Sequence, residues 1–219
     1  MTMLAINGSP RKKWNTAKIL QSVLDGAAKA GAETKLVHLY DYDFKGCVSC
    51  FECKRIGGKN YGRCAVKDGL TPLLAEAAEA DALVIGTPVY FGAETGETRS
   101  FMERLLFPYL TYTPGYAAIF PRKIPAAMIY TMNVPEDVME QRNYGHMTGL
   151  AQGFMSRTFG SCEVLAVNDT YQFDDYAKYL CTVWDAEAKA KRREEAFPQD
   201  LAKAFALGER LAAGIEAKA

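Results

Sequence analysis

The chain has 219 residues and equal numbers of basic and acidic side chains, 26 Lys+Arg and 26 Asp+Glu, so its formal net charge is zero. This balance argues against a nucleic-acid partner, because such proteins carry concentrated positive charge. The composition of 49% hydrophobic and 24% charged residues provides material for a folded core and excludes a largely disordered chain.

Five short apolar runs predict the strands of one sheet. They cover residues 3–6, 35–39, 82–85, 126–130 and 164–167. Most of these runs are continuous rather than alternating, which indicates burial on both faces, as in a parallel sheet covered by helices.

Helical patterns lie between these runs, at residues 16–30, 70–80, 97–106 and 149–159. The regular alternation of strand and helix predicts a doubly wound α/β fold. In such a fold the ligand cleft lies where the parallel strands end.

The pattern changes beyond residue 170. Residues 189–195 carry both charge signs, and we interpret them as the solvated face of a helix. A last helix follows, in which Leu201, Phe205 and Leu211 repeat at helical spacing. We expect this helix to pack on the body of the protein or on a second subunit.

No linker rich in Ser, Gly or Pro divides the chain, so we predict one domain made of residues 1–170 with a helical C-terminal extension, residues 171–219. No window approaches the ~18 consecutive apolar residues of a membrane span, and the N-terminus does not resemble a signal peptide. We therefore expect a cytoplasmic protein without a membrane span.

The turn after the first strand has the composition of a phosphate-binding loop. Ser9, Asn15 and Thr16 offer hydrogen bonds, Arg11 offers a charged fork, and the next helix begins with unpaired N–H groups. The glycine spacing of a Walker A loop and of a dinucleotide fingerprint is absent, which favours a mononucleotide. The alternative is structural: Asn15 or Thr16 caps the helix, and Arg11 lies in a solvated turn.

The turn after the third strand carries two adjacent aromatic residues, Tyr90 and Phe91. A planar ring stacked on either residue would cover apolar surface that is costly to expose. The alternative is that both side chains pack under the neighbouring helix. Because both turns lie at the same edge of the sheet, a phosphate site beside a site for a flat ring describes flavin mononucleotide (FMN).

These motifs resemble those of the flavodoxin-like NAD(P)H-dependent FMN reductase superfamily, and most of all its iron–sulfur flavoprotein branch. The resemblance rests on Gly8-Ser9-Pro10-Arg11 with Asn15-Thr16, on residues 86–92, and on the segment from Gly46 to Cys64. It implies a three-layer α/β sandwich with a five-stranded parallel sheet in the order 2-1-3-4-5. It also implies NAD(P)H as the electron donor, and a homodimer or homotetramer.

The resemblance further implies where FMN binds. The phosphate would lie on four residues of the first turn: Ser9, Arg11, Asn15 and Thr16. The isoalloxazine would lie on the second turn and on a third turn after the fourth strand: Pro88, Val89, Tyr90, Phe91, Gly92, Thr131 and Asn133.

Four of the six cysteines fall in a predicted insertion at residues 44–66: Cys47, Cys50, Cys53 and Cys64. A disulfide framework is not distributed in this way. Four closely spaced thiolates suit a [4Fe–4S] cluster, and they suit tetrahedral zinc equally well. Free or redox-active thiols are the third interpretation. The spacer before Cys64 is longer than in the branch that the sequence resembles.

Three functions follow from these motifs. The first is an NAD(P)H-dependent flavin or quinone reductase that acts on a small-molecule electron acceptor. The second is an iron–sulfur flavoprotein that exchanges electrons with a ferredoxin. The third is a flavin-free zinc-binding or regulatory module on the same scaffold.

No catalytic side chain is assigned, because the flavin carries the redox chemistry in the first two functions. The sequence has two histidines. We interpret His38 as packed in a strand and His146 as a residue that can line the cleft.

Overall fold

The computed structural model describes residues 1–215, which are built around a sheet of six strands. The strands are Thr2–Asn7 (β1), Glu33–His38 (β2), Ala82–Tyr90 (β3), Ala93–Glu94 (β4), Ala126–Thr131 (β5) and Glu163–Val167 (β6). Five of them pair in parallel in the order β2-β1-β3-β5-β6, and β4 pairs only with β3. With β4 set aside, this is the predicted order 2-1-3-4-5, so the flavodoxin-like fold is confirmed.

Helices cover both faces of this sheet. They are Asn15–Lys29 (α1), Thr71–Glu79 (α2), Gly96–Leu106 (α3), Glu136–Gln141 (α4), Tyr144–Phe159 (α5), Ala186–Glu195 (α6) and Phe197–Ala213 (α7). One buried cluster joins α1 and α7 to alternate strand residues such as Ala5 and Val84, and a second joins α2, α3 and α5 to the intervening residues such as Ile6 and Ile85. Continuous apolar strands are therefore buried on both faces, as the sequence predicts.

The third strand is longer than its apolar run. It continues beyond Ile85 to Tyr90, so the strand is five residues longer than the apolar run 82–85 that predicts it. Gly86 resembles a strand breaker, but it serves close packing instead, because a Cβ at this position would meet the side chain of Leu20 at 2.8 Å.

The chain then reverses in a tight hairpin. Phe91 and Gly92 both have positive φ angles, 52° and 76°, and β4 returns antiparallel along the end of β3. Two central residues with positive φ are typical of the two-residue turns that join antiparallel strands. The aromatic turn is therefore the tip of a defined hairpin.

Helix prediction succeeded where an apolar stripe was regular. Helices α1, α2 and α3 begin and end within a residue of the predicted bounds, whereas α5 begins at Tyr144 instead of residue 149, and α4 was not predicted. None of the residues of α4 is buried, so this helix has no apolar stripe that periodicity could detect.

The interpretation of residues 189–195 as the solvated face of a helix was right for Lys191, Glu194 and Glu195 and wrong for Lys189. All belong to α6, but Lys189 is only 3% exposed. The last helix, α7, packs on α1 as a close helix pair. The end of the predicted extension, residues 216–219, lies outside the described residues.

Two glycines allow the close contact between α1 and α7. A Cβ at Gly208 would overlap the carbonyl oxygen of Val23, and a Cβ at Gly26 would overlap that of Phe205. Both obstacles are backbone atoms, which cannot move aside as the end of a flexible side chain can. Larger residues are therefore excluded from this helix pair.

A search of residues 1–215 for membrane spans gave a negative result: none of the helices in this part of the chain has both the length and the apolar character needed.

We predict that Gly208→Ala destabilises the protein by about 2 kcal/mol or more, because overpacking against backbone costs more than the helix propensity of alanine returns. Urea unfolding would measure the loss. The matched control is Gly149→Ala in α5, where nothing lies within 4 Å of the added Cβ. This variant should gain about 0.5–1 kcal/mol. Equal stability of the two variants would contradict the packing described for α1 and α7.

Candidate functional site

Three turns meet at the carboxyl edge of the sheet. The N–H of Gly8 donates to the carbonyl of Gly86 at 2.8 Å, and the hydroxyl of Thr95 donates to the carbonyl of Gly8 at 2.8 Å. The hydroxyls of Thr16 and Thr131 are 2.7 Å apart. The turns after β1, β3 and β5 are therefore joined directly by hydrogen bonds into one surface.

The first turn is ordered by its own backbone and side chains. The N–H of Ser9 donates to Asn7 Oδ1 at 3.0 Å, and the N–H of Arg11 donates to Ser9 Oγ at 3.2 Å. Ser9 is buried, as are Asn15 and Thr16 in the first turn of α1. The polar residues predicted for phosphate binding are thus gathered around one helix N-terminus.

The structural alternative for this turn is wrong in one respect. The N-cap of α1 is Trp14, whose side chain accepts no capping hydrogen bond from the first N–H groups of the helix. Neither Asn15 nor Thr16 acts as the cap. Uncapped N–H groups at the positive end of a helix dipole suit an anion.

A C-terminal strap, residues 171–195, crosses the outside of this turn. Arg11 Nη1 donates to the carbonyl of Gln172 at 2.7 Å, and Trp14 Nε1 and Asn15 Nδ2 donate to the carbonyl of Tyr171 at 3.1 and 2.9 Å. The guanidinium of Arg11 also stacks on the ring of Trp14, 3.7 Å from its centroid. Two of the predicted phosphate ligands, Arg11 and Asn15, therefore also hold the strap.

Two cations of α6 reach the same edge of the sheet. Arg193 Nη1 donates to Asn15 Oδ1 at 3.1 Å, and Lys189 Nζ donates to the carbonyl of Asn133 at 2.7 Å. The buried side chain of Lys189 also forms an ion pair with Asp169, which is partly exposed. Sequence reasoning missed both cations, because a run of mixed charges predicts a helix but not which of its cations face the body of the protein.

The third turn carries an unsatisfied polar atom. Thr131 is buried, and Asn133 Oδ1 is buried with no hydrogen-bond partner within residues 1–215. A buried acceptor without a donor costs about 1–3 kcal/mol, so a ligand N–H at this position would stabilise the site. This observation fits a ligand with a polar ring edge.

The aromatic hairpin remains open to solvent. Phe91 is fully exposed and Tyr90 is 44% exposed, so the alternative that both pack under a helix was wrong. Pro88 and Val89 belong to β3, and Glu94 in β4 accepts a buried hydrogen bond from Tyr130 Oη at 2.9 Å. Burial and the neighbouring Glu94 carboxylate raise the pKa of Tyr130, which keeps this phenol a donor.

The two histidines lie in different surroundings. His38 ends β2, and Asn7 Nδ2 donates to its Nδ1 at 2.8 Å. Burial lowers the pKa of His38, which favours the neutral ring that can accept this bond. His146 is exposed in the first turn of α5.

The four clustered cysteines face one small cavity of about 20 Å³. Cys53 is buried, Cys64 is half-buried, and Cys47 and Cys50 are exposed. Burial raises the pKa of the Cys53 thiol, and the nearby Cys47 and Cys50 thiols raise it further. The chain therefore brings all four predicted ligands to one place.

This donor set fits an iron–sulfur cluster chemically, since soft thiolates are the usual ligands of iron–sulfur centres. The cavity between the four cysteines is too small for such a cluster, because about 20 Å³ holds roughly one water molecule. Within residues 1–215, no three His, Cys, Asp or Glu side chains are grouped to hold a single metal ion. The loop would have to widen around any cluster.

Arg104 of α3 fastens the cysteine loop at both ends. Its guanidinium donates to the carbonyls of Lys45 and Val66 at 3.0 and 3.3 Å, and forms two bonds to the Asp68 carboxylate at 2.5 and 3.0 Å. Its Nε donates to Cys64 Sγ at 3.4 Å, and the side chain is fully buried. A position in α3, distant in sequence from the cysteines, therefore sets the path of the cysteine loop.

Comparison with known proteins places this site in a family. A family model described as NADPH-dependent FMN reductase matches residues 1–133. The chain belongs to this family. The match covers the first two turns, the cysteine loop and the third turn as far as Asn133, so the family is shown over the surface described above.

A similar protein is an iron-sulfur flavoprotein of Archaeoglobus fulgidus, 41% identical over 104 residues, which are 48% of this chain and 48% of that protein. The chain thus spans about half the length of the curated relative that it matches.

Solved structures share the fold at low sequence identity. The NAD(P)H:quinone oxidoreductase from Methanothermobacter marburgensis has a TM-score of 0.68 and 14% identity, covering 96% of this chain and 98% of that one. An FMN-dependent NADH-azoreductase from Bacillus anthracis, solved in complex with FMN, has a TM-score of 0.62 and 12% identity, covering 97% and 98%. At this level of identity, the two structures show that the chain shares their fold.

We predict that Arg104→Gln lowers the free energy of unfolding by about 3 kcal/mol, because it leaves the mostly buried carboxylate of Asp68 without its partner. The cysteine thiols should also react faster with a thiol reagent. The control is Arg210→Gln in α7, whose ion pair with Glu163 is exposed on both sides and should cost at most about 1 kcal/mol. Unchanged stability and thiol reactivity in Arg104→Gln would refute the role of this residue.

The same ion pair predicts a loss of stability in acid. The guanidinium of Arg104 holds the pKa of Asp68 below its usual range, so the pair stabilises the fold above the unfolded-state pKa of Asp68. This contribution disappears as the pH falls through the lowered pKa of the folded state. Asp68→Asn should therefore be less stable than wild type at neutral pH and approach it in acid, as followed by urea unfolding across pH. A constant difference would contradict this assignment.

Proposed function

We propose that the protein is an FMN-binding oxidoreductase that takes electrons from NAD(P)H and reduces a small flavin- or quinone-type acceptor. This proposal rests on one observation: the turns after β1, β3 and β5 are joined by hydrogen bonds at one edge of the sheet, beside the uncapped N-terminus of α1. Membership of the NADPH-dependent FMN reductase family supports it.

The phosphate of FMN would lie against Ser9, Arg11, Asn15 and Thr16. The guanidinium of Arg11 has five N–H donors, and one of them bonds to the carbonyl of Gln172 in the strap. The remaining donors are available for a phosphate. Asn15 is more fully engaged, because its oxygen accepts from Arg193 and its amide nitrogen donates to Tyr171. We therefore assign most of the phosphate binding to Ser9, Arg11 and the first N–H groups of α1.

The isoalloxazine would lie along the second and third turns: Pro88, Val89, Tyr90, Phe91, Gly92, Thr131 and Asn133. The exposed rings of the hairpin offer an apolar surface that can exclude water. The unpartnered Asn133 Oδ1 offers an acceptor for a ring N–H. When bound, FMN supplies the hydride acceptor and the one- or two-electron chemistry, and the protein supplies orientation.

A second candidate function rests on the cysteines. Four thiols that face one cavity support an iron–sulfur flavoprotein that exchanges electrons with a ferredoxin through a cluster. Similarity to an iron-sulfur flavoprotein of Archaeoglobus fulgidus supports the same candidate. The same four thiols could also hold zinc, but membership of the NADPH-dependent FMN reductase family favours a flavin protein over the third hypothesis, a flavin-free zinc-binding or regulatory module.

We also propose a homodimer or homotetramer in the cytoplasm. Exposed apolar side chains support self-association: Phe91 at the hairpin, and Leu150 and Phe154 on α5. Six free cysteines support a reducing compartment.

The phosphate assignment predicts that Ser9→Ala binds FMN roughly 10- to 100-fold more weakly, since it removes a charge-assisted hydrogen bond worth about 1.5–3 kcal/mol. Riboflavin lacks the phosphate and should bind wild type and variant equally. Titration of the apoprotein, followed by flavin fluorescence, gives both affinities. Lys13→Ala, an exposed cation in the same turn, is the control and should change FMN binding little. Equal losses for FMN and riboflavin would contradict a phosphate contact.

The cluster assignment predicts that Cys50→Ala loses the iron and sulfide of the anaerobically purified protein. Cys181→Ala is the control, because this cysteine lies in the strap, outside the four-thiol cavity. Metal and sulfide analysis with FMN quantified in the same samples separates the two candidate functions. Iron retained in Cys50→Ala, or absent from wild type that carries FMN, would reject the second candidate.

A further inference from the structure

A groove of about 340 Å³ lies between the cysteine loop and α2. One wall comes from the loop and carries Lys59, Arg63 and Lys67, and the floor includes Leu74, Pro108 and Tyr109. None of the residues in the first, second or third turn lines it. The groove is therefore separate from the candidate flavin site.

The cations of this wall have no partners. Within residues 1–215, the side chains of Lys59, Arg63 and Lys67 form no salt bridge, and none forms a side-chain hydrogen bond. Arg104 also lines the groove, but its charge is balanced by Asp68. Of the described residues that line the groove, one is acidic, namely Glu79.

The segment of the sequence around these cations is also rich in positive charge. Residues 44–67 include six Lys or Arg residues, Lys45, Lys54, Arg55, Lys59, Arg63 and Lys67, and a single acidic residue, Glu52. The whole chain has a net charge of zero. A local excess of positive charge in a neutral protein raises the local concentration of anions.

The floor of the groove is apolar and firmly held. The ring of Tyr109 packs edge-to-face on Phe120, with centroids 4.9 Å apart. Burial raises the pKa of Tyr109; Arg63 and Arg122 act against this rise and the Glu79 carboxylate adds to it, and Arg63, Glu79 and Tyr109 all line the groove. Charge and apolar surface therefore meet within the same groove.

We propose that this groove binds a small organic anion, consisting of a carboxylate or phosphate attached to an apolar body of one or two rings. The acidic group would pair with Arg63 and Lys67, and the rings would lie on the floor beside Tyr109. A volume of about 340 Å³ is at the small end of ligand pockets, which span roughly 300–1,000 Å³. A concave site of this size favours a small molecule over the flatter surface of an acidic protein.

The test uses 2-naphthoate as the anionic probe and neutral 2-naphthamide as its uncharged counterpart, both titrated calorimetrically into the FMN-loaded protein. Naphthoate should bind at least tenfold more tightly than the amide and weaken as salt is added. The double variant Arg63→Gln/Lys67→Gln should lose at least tenfold in naphthoate affinity. Arg55→Gln is the matched control, an exposed cation of the same loop outside the groove, and should bind like wild type.

Several results would overturn the proposal. Equal affinities for naphthoate and naphthamide, or unchanged naphthoate binding in the double variant, would show that these cations do not hold an anion. A change in the flavin absorbance on addition of naphthoate, with unchanged binding in the double variant, would place the probe at the flavin instead. Binding of polyglutamate without binding of naphthoate would assign the basic surface to an acidic protein. Thermal unfolding of the double variant verifies that it is folded.

Discussion

The close approach of the ends of β1 and β3 at Gly8 is the constraint on which the candidate site depends. This one residue donates to the carbonyl of Gly86 and accepts from the hydroxyl of Thr95, which ties the first turn to the hairpin. A Cβ at Gly8 would overlap Thr98 Oγ1, so glycine alone allows this contact. The polar groups of the first turn are thereby fixed by the fold, and a ligand does not have to order them on binding.

Helix α3 links this edge to the cysteine loop. Thr95 caps the start of α3 and bonds to Gly8, whereas Arg104 near its end holds the loop at Lys45 and Asp68. At 1.5 Å rise per residue, the two positions are about 14 Å apart along the helix axis. The carboxyl edge of the sheet, where the candidate flavin site lies, and the four-thiol cavity are therefore held at opposite ends of helix α3.

Much of the fold and part of the site could be predicted from the sequence. Buried strands can be predicted because they are continuous apolar runs. The turn from Gly8 to Thr16 can be predicted because its polar residues are adjacent in the sequence. Contacts between distant segments leave no such local signal. Lys189 and Arg193 belong to a run of mixed charge, and only tertiary packing decides that they face Asn133 and Asn15. The groove beside Arg63 is likewise formed by elements that the sequence does not place together.

The strap has a consequence for the order of events in the cell. Tyr171 and Arg193 bind the first turn, yet they are translated more than 150 residues after it. While the ribosome is still making the second half of the chain, Trp14 and Asn15 lack these partners and the helix α7 that supports α1. The contacts that brace the first turn from outside can form only once residues 171–193 have emerged. Cofactor loading is therefore expected to follow the emergence of this segment, in contrast to domains whose binding loops mature as the N-terminal part folds.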